Sequence, residues 1–160
     1  GTYFSASPSD LVEGAEYFTV DVTNSQEVTS FFNGIGPSLS MPVMIYTPGI
    51  SPNNLTAKIV DQDWVDTIAV NLTGAMYASR ALLPWMRKLE YGRLIFLTSV
   101  LSRVAVAGTL GYCLTGGRFR NTRRSFSRSD GLFLAIAICI WICCIFYVAC
   151  NWRWFLHDMG

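Results

Sequence analysis

The sequence predicts an α/β fold, a doubly wound parallel sheet with helices on both faces, and three observations carry that prediction. Over residues 17–99, short apolar runs and helix-spaced amphipathic runs follow in the order strand, helix, strand, helix, strand, the order of parallel strands joined by helical crossovers. The apolar runs over residues 43–46 and 94–97 lack polar alternation, as strands buried on both faces do. Asp21, Gly49 and Ser99 close the three runs, and in such sheets ligands gather at the carboxyl ends of the strands.

Residues 17–22 (Tyr-Phe-Thr-Val-Asp-Val) are aromatic and β-branched and read as the first strand. A capping box follows, either Thr23 with Gln26 or Asn24 with Glu27. Val28, Phe31, Phe32 and Ile35 then recur at helical spacing before Gly34 and Gly36 end the helix. Pro42-Val43-Met44-Ile45-Tyr46 is a second strand that runs into a Pro48-Gly49 turn. Across residues 61–90 the positions Trp64, Ile68, Leu72, Ala75, Ser79 and Leu82 form one apolar stripe, so a long helix is expected, with Pro84 as a point of interruption. Tyr91-Gly92 breaks the chain before the third strand, residues 93–99.

With 160 residues the chain has room for one folded domain. The net charge of +1 gives no electrostatic reason to expect a nucleic-acid partner. Charge is unevenly placed, however: residues 1–115 hold 9 acids and 6 bases, residues 116–160 hold 2 acids and 6 bases, and the latter contain no Lys, Glu or Gln. Four of the five cysteines, Cys139, Cys143, Cys144 and Cys150, lie in that second part without a CxxC pair or a His cluster, so neither a metal site nor a disulfide framework is indicated. Residues 1–10 do not read as a signal peptide, being polar without a basic lead into an apolar run. A cytoplasmic location is expected. The Asn-x-Thr tripeptides at Asn54 and Asn71 read as chance matches to a glycosylation pattern.

Ser99 ends a strand and Tyr112 follows 13 residues later, across a loop that holds Ala105, Ala107, Gly108 and Gly111. A hydroxyl and a phenol so placed can converge on one substrate oxygen. In carbonyl reduction the phenol gives a proton and the serine steadies the oxyanion, provided a nearby cation lowers the phenol pKa from about 10. The plainer reading is that Ser99 caps a turn and Tyr112 packs at a helix start.

Taken in order, several segments resemble the short-chain dehydrogenase/reductase family over residues 15–115. Asp21-Val22 stands where that family has an acidic and a small apolar residue contacting the adenine of NAD or NADP. Tyr46-Thr47-Pro48-Gly49 stands where it usually has Asn-Asn-Ala-Gly, with only Gly49 matching. Asn71, in Val70-Asn71-Leu72-Thr73-Gly74, matches the helix asparagine that holds a proton-relay water. Residues 92–99 resemble the strand that delivers the catalytic serine, here Ser99, and residues 111–115 resemble the start of the Tyr-x-x-x-Lys motif, with Tyr112 as its tyrosine. Alone, Asp21 could be a helix-entry carboxylate and Asn71 an exposed helical polar residue.

The resemblance implies an NAD(P)-dependent oxidoreductase interconverting a small-molecule carbonyl and a secondary alcohol on a Rossmann-like sheet, with the helix over residues 61–90 pairing two subunits. It also implies that the family's Gly-x-x-x-Gly-x-Gly loop would stand ahead of residue 1, so the sheet is expected to be incomplete. Gly116 occupies the lysine position. Arg118, two positions further along a helix, would point about 200° away. Little turnover is expected, and the alternative is a non-catalytic remnant acting as an interaction module.

After Thr115 the resemblance stops. The expected organisation is a partial domain over residues 1–115, an Arg-rich linker over 116–130 and an apolar tail over 131–160. Residues 132–150 are 19 positions without a charge, preceded by five arginines between 118 and 128 and followed by Trp152 and Trp154. As a helix of about 28 Å they would nearly span a hydrocarbon core of about 30 Å. The alternation of Ile136, Ile138, Ile140 and Ile142 instead fits a buried strand. A change of composition inside a motif also fits a shifted reading frame or a read-through intron, the reading given most weight.

Overall fold

The computed structural model describes residues 1–3, 12–99, 101, 106–118 and 134–140. Five strands form two parallel sheets. β1 (Thr2–Tyr3) pairs with β2 (Phe18–Thr19), and β3 (Val43–Tyr46), β4 (Arg93–Ser99) and β5 (Leu134–Ile140) follow in that spatial order. The expected strand over residues 17–22 is therefore only two residues long as a ladder. Its partner supplies two described residues, although Val20 beyond it is buried in the core.

Helix α1 (Ser25–Ile35) begins as the second capping option anticipated, with a difference in partner. The Asn24 side-chain oxygen accepts from the Gln26 and Glu27 N–H groups, while Glu27 reaches back past Asn24 to accept from the Asp21 N–H at 3.0 Å. Its inner face buries Val28 and Phe32. The helix runs through Gly34 to a cap at Gly36, where only glycine fits, since a Cβ there would lie 2.1 Å from the Trp85 indole.

The long helix of residues 61–88 is α2 (Asp61–Ile68), a wide π-turn (Ala69–Thr73) and α3 (Gly74–Lys88), which passes through Pro84 without ending. Helix α4 (Leu110–Arg118) packs on α2, and Gly111 permits the approach, since a Cβ there would sit 3.1 Å from the Thr67 methyl. The helices cover the face of the sheets on which Tyr46, Leu94 and Phe96 are buried with Leu82 and Met86. On the other face of β3, Val43 and Ile45 are 48% and 58% exposed.

β5 changes the reading of the apolar tail. Residues 134–140 pair with β4 along its whole length, from Arg93↔Leu134 to Ser99↔Ile140, so this part of the 132–150 run is a strand and not a membrane-spanning helix. Two causes act together: isoleucine at alternate positions favours strand, and the free edge of β4 presents a row of unpaired peptide groups. No helix among the described residues is long and apolar enough to cross a membrane. Residues 141–150 and most of the predicted linker over 116–130 lie outside the described residues.

Candidate active site

The carboxyl ends of β3 and β4, the π-turn and the start of α4 meet in one place. Asn71 occupies the π-turn and is 6% exposed, so it is no surface residue of a helix. Its amide is used twice on the loop after β3: Oδ1 accepts from the Ile50 N–H at 2.8 Å and Nδ2 donates to the Ile50 carbonyl at 2.9 Å. Nδ2 also reaches the Thr115 hydroxyl of α4 at 3.2 Å. One side chain thereby ties three segments together, each bond replacing water that a buried amide would otherwise lack.

Gly49 lies against this clamp. A Cβ built there would stand 3.7 Å from Asn71 Oδ1 and 3.9 Å from Tyr112 Cε2, so the loop backbone, the amide and the phenol ring are neighbours. Tyr112 is half-buried in the first turn of α4. That helix starts where Thr109 Oγ1 donates to the Val106 carbonyl and the Thr109 carbonyl accepts from the Cys113 N–H. Gly108, at φ +87°, makes the preceding turn in the left-handed region and accepts from the Asn54 N–H at 3.1 Å, joining the α4 approach to the loop after β3.

Ser99 is the last residue of β4 and is buried, with its hydroxyl accepting from the Leu101 N–H at 3.2 Å. The turn-capping reading of Ser99 thus describes a contact it makes. Asp21 likewise serves locally: Oδ1 accepts from both the N–H and the hydroxyl of Thr23, at 2.8 and 2.7 Å. Val22 comes to the same side as the π-turn, because a Cβ on Gly74 would lie 3.0 Å from the Val22 carbonyl. Asn71, Gly49 and Tyr112 are therefore brought together, Ser99 ends the adjoining strand, and Asp21 and Val22 stand beyond Gly74.

Two participants escaped sequence reasoning. Thr115 was part of a motif match without a role, yet its hydroxyl is buried between Asn71 and the Gly111 and Tyr112 carbonyls. Tyr46 reads in the sequence as the end of a strand and as a departure from Asn-Asn-Ala-Gly. Its phenol crosses to the π-turn and donates to the Val70 carbonyl at 2.6 Å. Gly116, half-buried, stands four residues after Tyr112 and brings no ammonium to that helix face.

The family model described as short chain dehydrogenase matches residues 6–116, more than half of the chain. This chain belongs to the short-chain dehydrogenase family. Among curated relatives, it is 29% identical over 121 residues to the 3-oxoacyl-(acyl-carrier-protein) reductase FabG of Pseudomonas aeruginosa, covering 75% of this chain and 49% of that protein. It is 34% identical over 99 residues to an uncharacterized oxidoreductase of Staphylococcus saprophyticus, covering 59% of this chain and 39% of the relative.

Two solved structures share the fold. A short-chain dehydrogenase from Streptomyces avermitilis superposes with a TM-score of 0.70 at 17% identity, over 78% of this chain and 47% of that one. ElxO with NADP bound gives 0.68 at 21% identity, over 78% and 53%. The chain thus spans about half the length of the short-chain dehydrogenases it matches. The Rossmann-like parallel sheet and the family's oxidoreductase ancestry follow from these matches.

Proposed function

We propose that this chain carries the proton-handling side of an NAD(P)-dependent site that interconverts a carbonyl and a secondary alcohol, with turnover held low by Gly116. The carrying observation is the convergence of Gly49, the Asn71 amide and the Tyr112 ring within about 4 Å at the strand carboxyl ends. In this reading Tyr112 gives its proton to the substrate oxygen, the Ser99 hydroxyl donates to the same oxygen as negative charge develops, and Asn71 keeps the loop at Gly49 and helix α4 in register.

The residues fit a nicotinamide dinucleotide at one end only. Asp21 and Val22 suit the adenine end, where a carboxylate can meet an amine and a small apolar side chain can meet a ring. At the nicotinamide end, Gly116 offers no cation to hold the ribose or lower the Tyr112 pKa. The non-catalytic alternative rests on that same residue. Dimerisation through α2 and α3 accompanies either reading, supported by Val65 and Met76, which are 55% and 46% exposed on that helix. A cytoplasmic location is also part of this proposal.

A 3-oxoacyl thioester is the first substrate to try, because the Pseudomonas relative is named for one, and NADPH is the first cofactor. Gly116→Lys restores an ammonium four residues after Tyr112, on the same helix face. It is expected to raise NADPH-dependent reduction at least tenfold, and Tyr112→Phe in that background should abolish the gain. Parent turnover that matches Gly116→Lys and survives Tyr112→Phe would overturn the proposal, as would a Gly116→Lys chain that neither quenches nor shifts NADPH fluorescence.

A further inference from the structure

We infer that Tyr46 is a positioning residue for Asn71, holding the π-turn open through its hydroxyl. This rests on the reading of Asn71 as part of the site. In a regular α-helix the Gly74 N–H would bond to Val70; here it goes to the Ala69 carbonyl, five residues back. The Val70 carbonyl accepts instead from Tyr46 Oη, at 2.6 Å, from a strand 24 positions earlier in the chain.

Three further observations agree on a hydroxyl built into this place. Tyr46 is 6% exposed, so its hydroxyl is buried, where an unpaired one would be costly. Gly74 makes the room, since a Cβ there would come within 2.5 Å of Oη. Burial also holds the phenol well above its ordinary pKa, which keeps it a donor. The residue next to the accepting carbonyl is Asn71, and the one-residue widening of the helix is what turns its amide toward Ile50 and Thr115. If the turn relaxed to α, residues C-terminal to it would rotate by about 100° relative to those before it, and the amide could not keep both the Ile50 loop and helix α4.

The test is amide exchange, which needs neither cofactor nor turnover, so its failure is separable from failure of the catalytic reading. Tyr46→Phe removes only the oxygen. The Ile50 N–H, which is bonded to Asn71 Oδ1, should then exchange at least tenfold faster, while the Ile95 N–H in β4 changes less than twofold. A purely structural tyrosine would move both together or neither, and either result would overturn the inference. Gly74→Ala in the Tyr46→Phe background fills part of the lost oxygen's space while pressing the Val22 carbonyl at 3.0 Å, so only its recovery is diagnostic: regained Ile50 protection would count against the hydroxyl. Should both variants fail to fold, the parent chain still decides: a Tyr46 hydroxyl proton in slow exchange with water supports the bond to Val70, and one in fast exchange overturns it.

Discussion

A buried phenol has a measurable consequence in alkali. The Tyr46 pKa is raised by burial in the folded chain, so the folded state keeps its proton at pH values where the unfolded chain, at about 10, has lost it. The sign follows from linkage: the stability contributed by the neutral, hydrogen-bonded phenol is fully present below pH 10 and is lost as pH rises from there toward the higher folded value. The slope is about 1.4 kcal/mol per pH unit for this one group. Other tyrosines and the lysines titrate in the same range, so the quantity to measure is a difference. Urea denaturation of the parent and of Tyr46→Phe between pH 9 and 11.5 should give two stability curves that converge above pH 10. Parallel curves would mean that the phenol ionises as easily folded as unfolded. Such a role was not readable from the sequence, where Tyr46 ended an apolar run like any core aromatic. Its meaning depends on Val70 and Gly74, some 24 to 28 positions away, which only folding brings into contact.

Elements were readable where local signals were strong, and less so where tertiary partners set the bounds. The α1 cap could be named because Asn24 and Glu27 act within one turn. The long helix was visible from its stripe, but the π-turn inside it was not: a single inserted residue barely disturbs periodicity, and Pro84 was the more obvious place to expect a break. The tail illustrates the opposite case. Length and apolarity favour a membrane helix for residues 132–150, while the isoleucine alternation favours a strand, and the sequence holds no term for the open edge of β4 that decides between them over 134–140. At this scale the proposed pairing of two copies through α2 and α3 can be checked. Val65→Asp with Met76→Asp places two charges on exposed apolar positions, at small cost to the fold. Sedimentation at tens of micromolar should show a dimer for the parent and a monomer for the variant. A monomeric parent, or a variant that remains dimeric, would remove this face as the interface.

At the scale of the molecule, the five parallel strands among the described residues lie in two sheets. Between β1–β2 and β3–β4–β5 lies a cavity of about 390 Å3, lined by Val20, Val28, Phe32, Met44, Tyr46 and Leu82 among others. The sequence marked three of these runs, over 17–22, 42–46 and 93–99, as parallel strands; it gave no sign of β1 and left 132–150 open, because the partner of a strand is a non-local choice. Val43 and Ile45 of β3 line the cavity too and stand exposed among the described residues. Contiguous apolar surface of this kind takes up apolar dyes and exposes a strand edge to self-association. The 160-residue chain is therefore expected to enhance the fluorescence of an anilinonaphthalene sulfonate dye while keeping a cooperative urea transition. Val43→Lys with Ile45→Lys should reduce that enhancement by at least half and slow light-scattering growth on warming. Because both side chains already face solvent, the midpoint should fall by no more than the roughly 1 kcal/mol per residue that strand preference allows. Dye enhancement unchanged by the two lysines would place the accessible apolar surface away from β3, and a non-cooperative transition would mean that the two sheets do not fold as one unit.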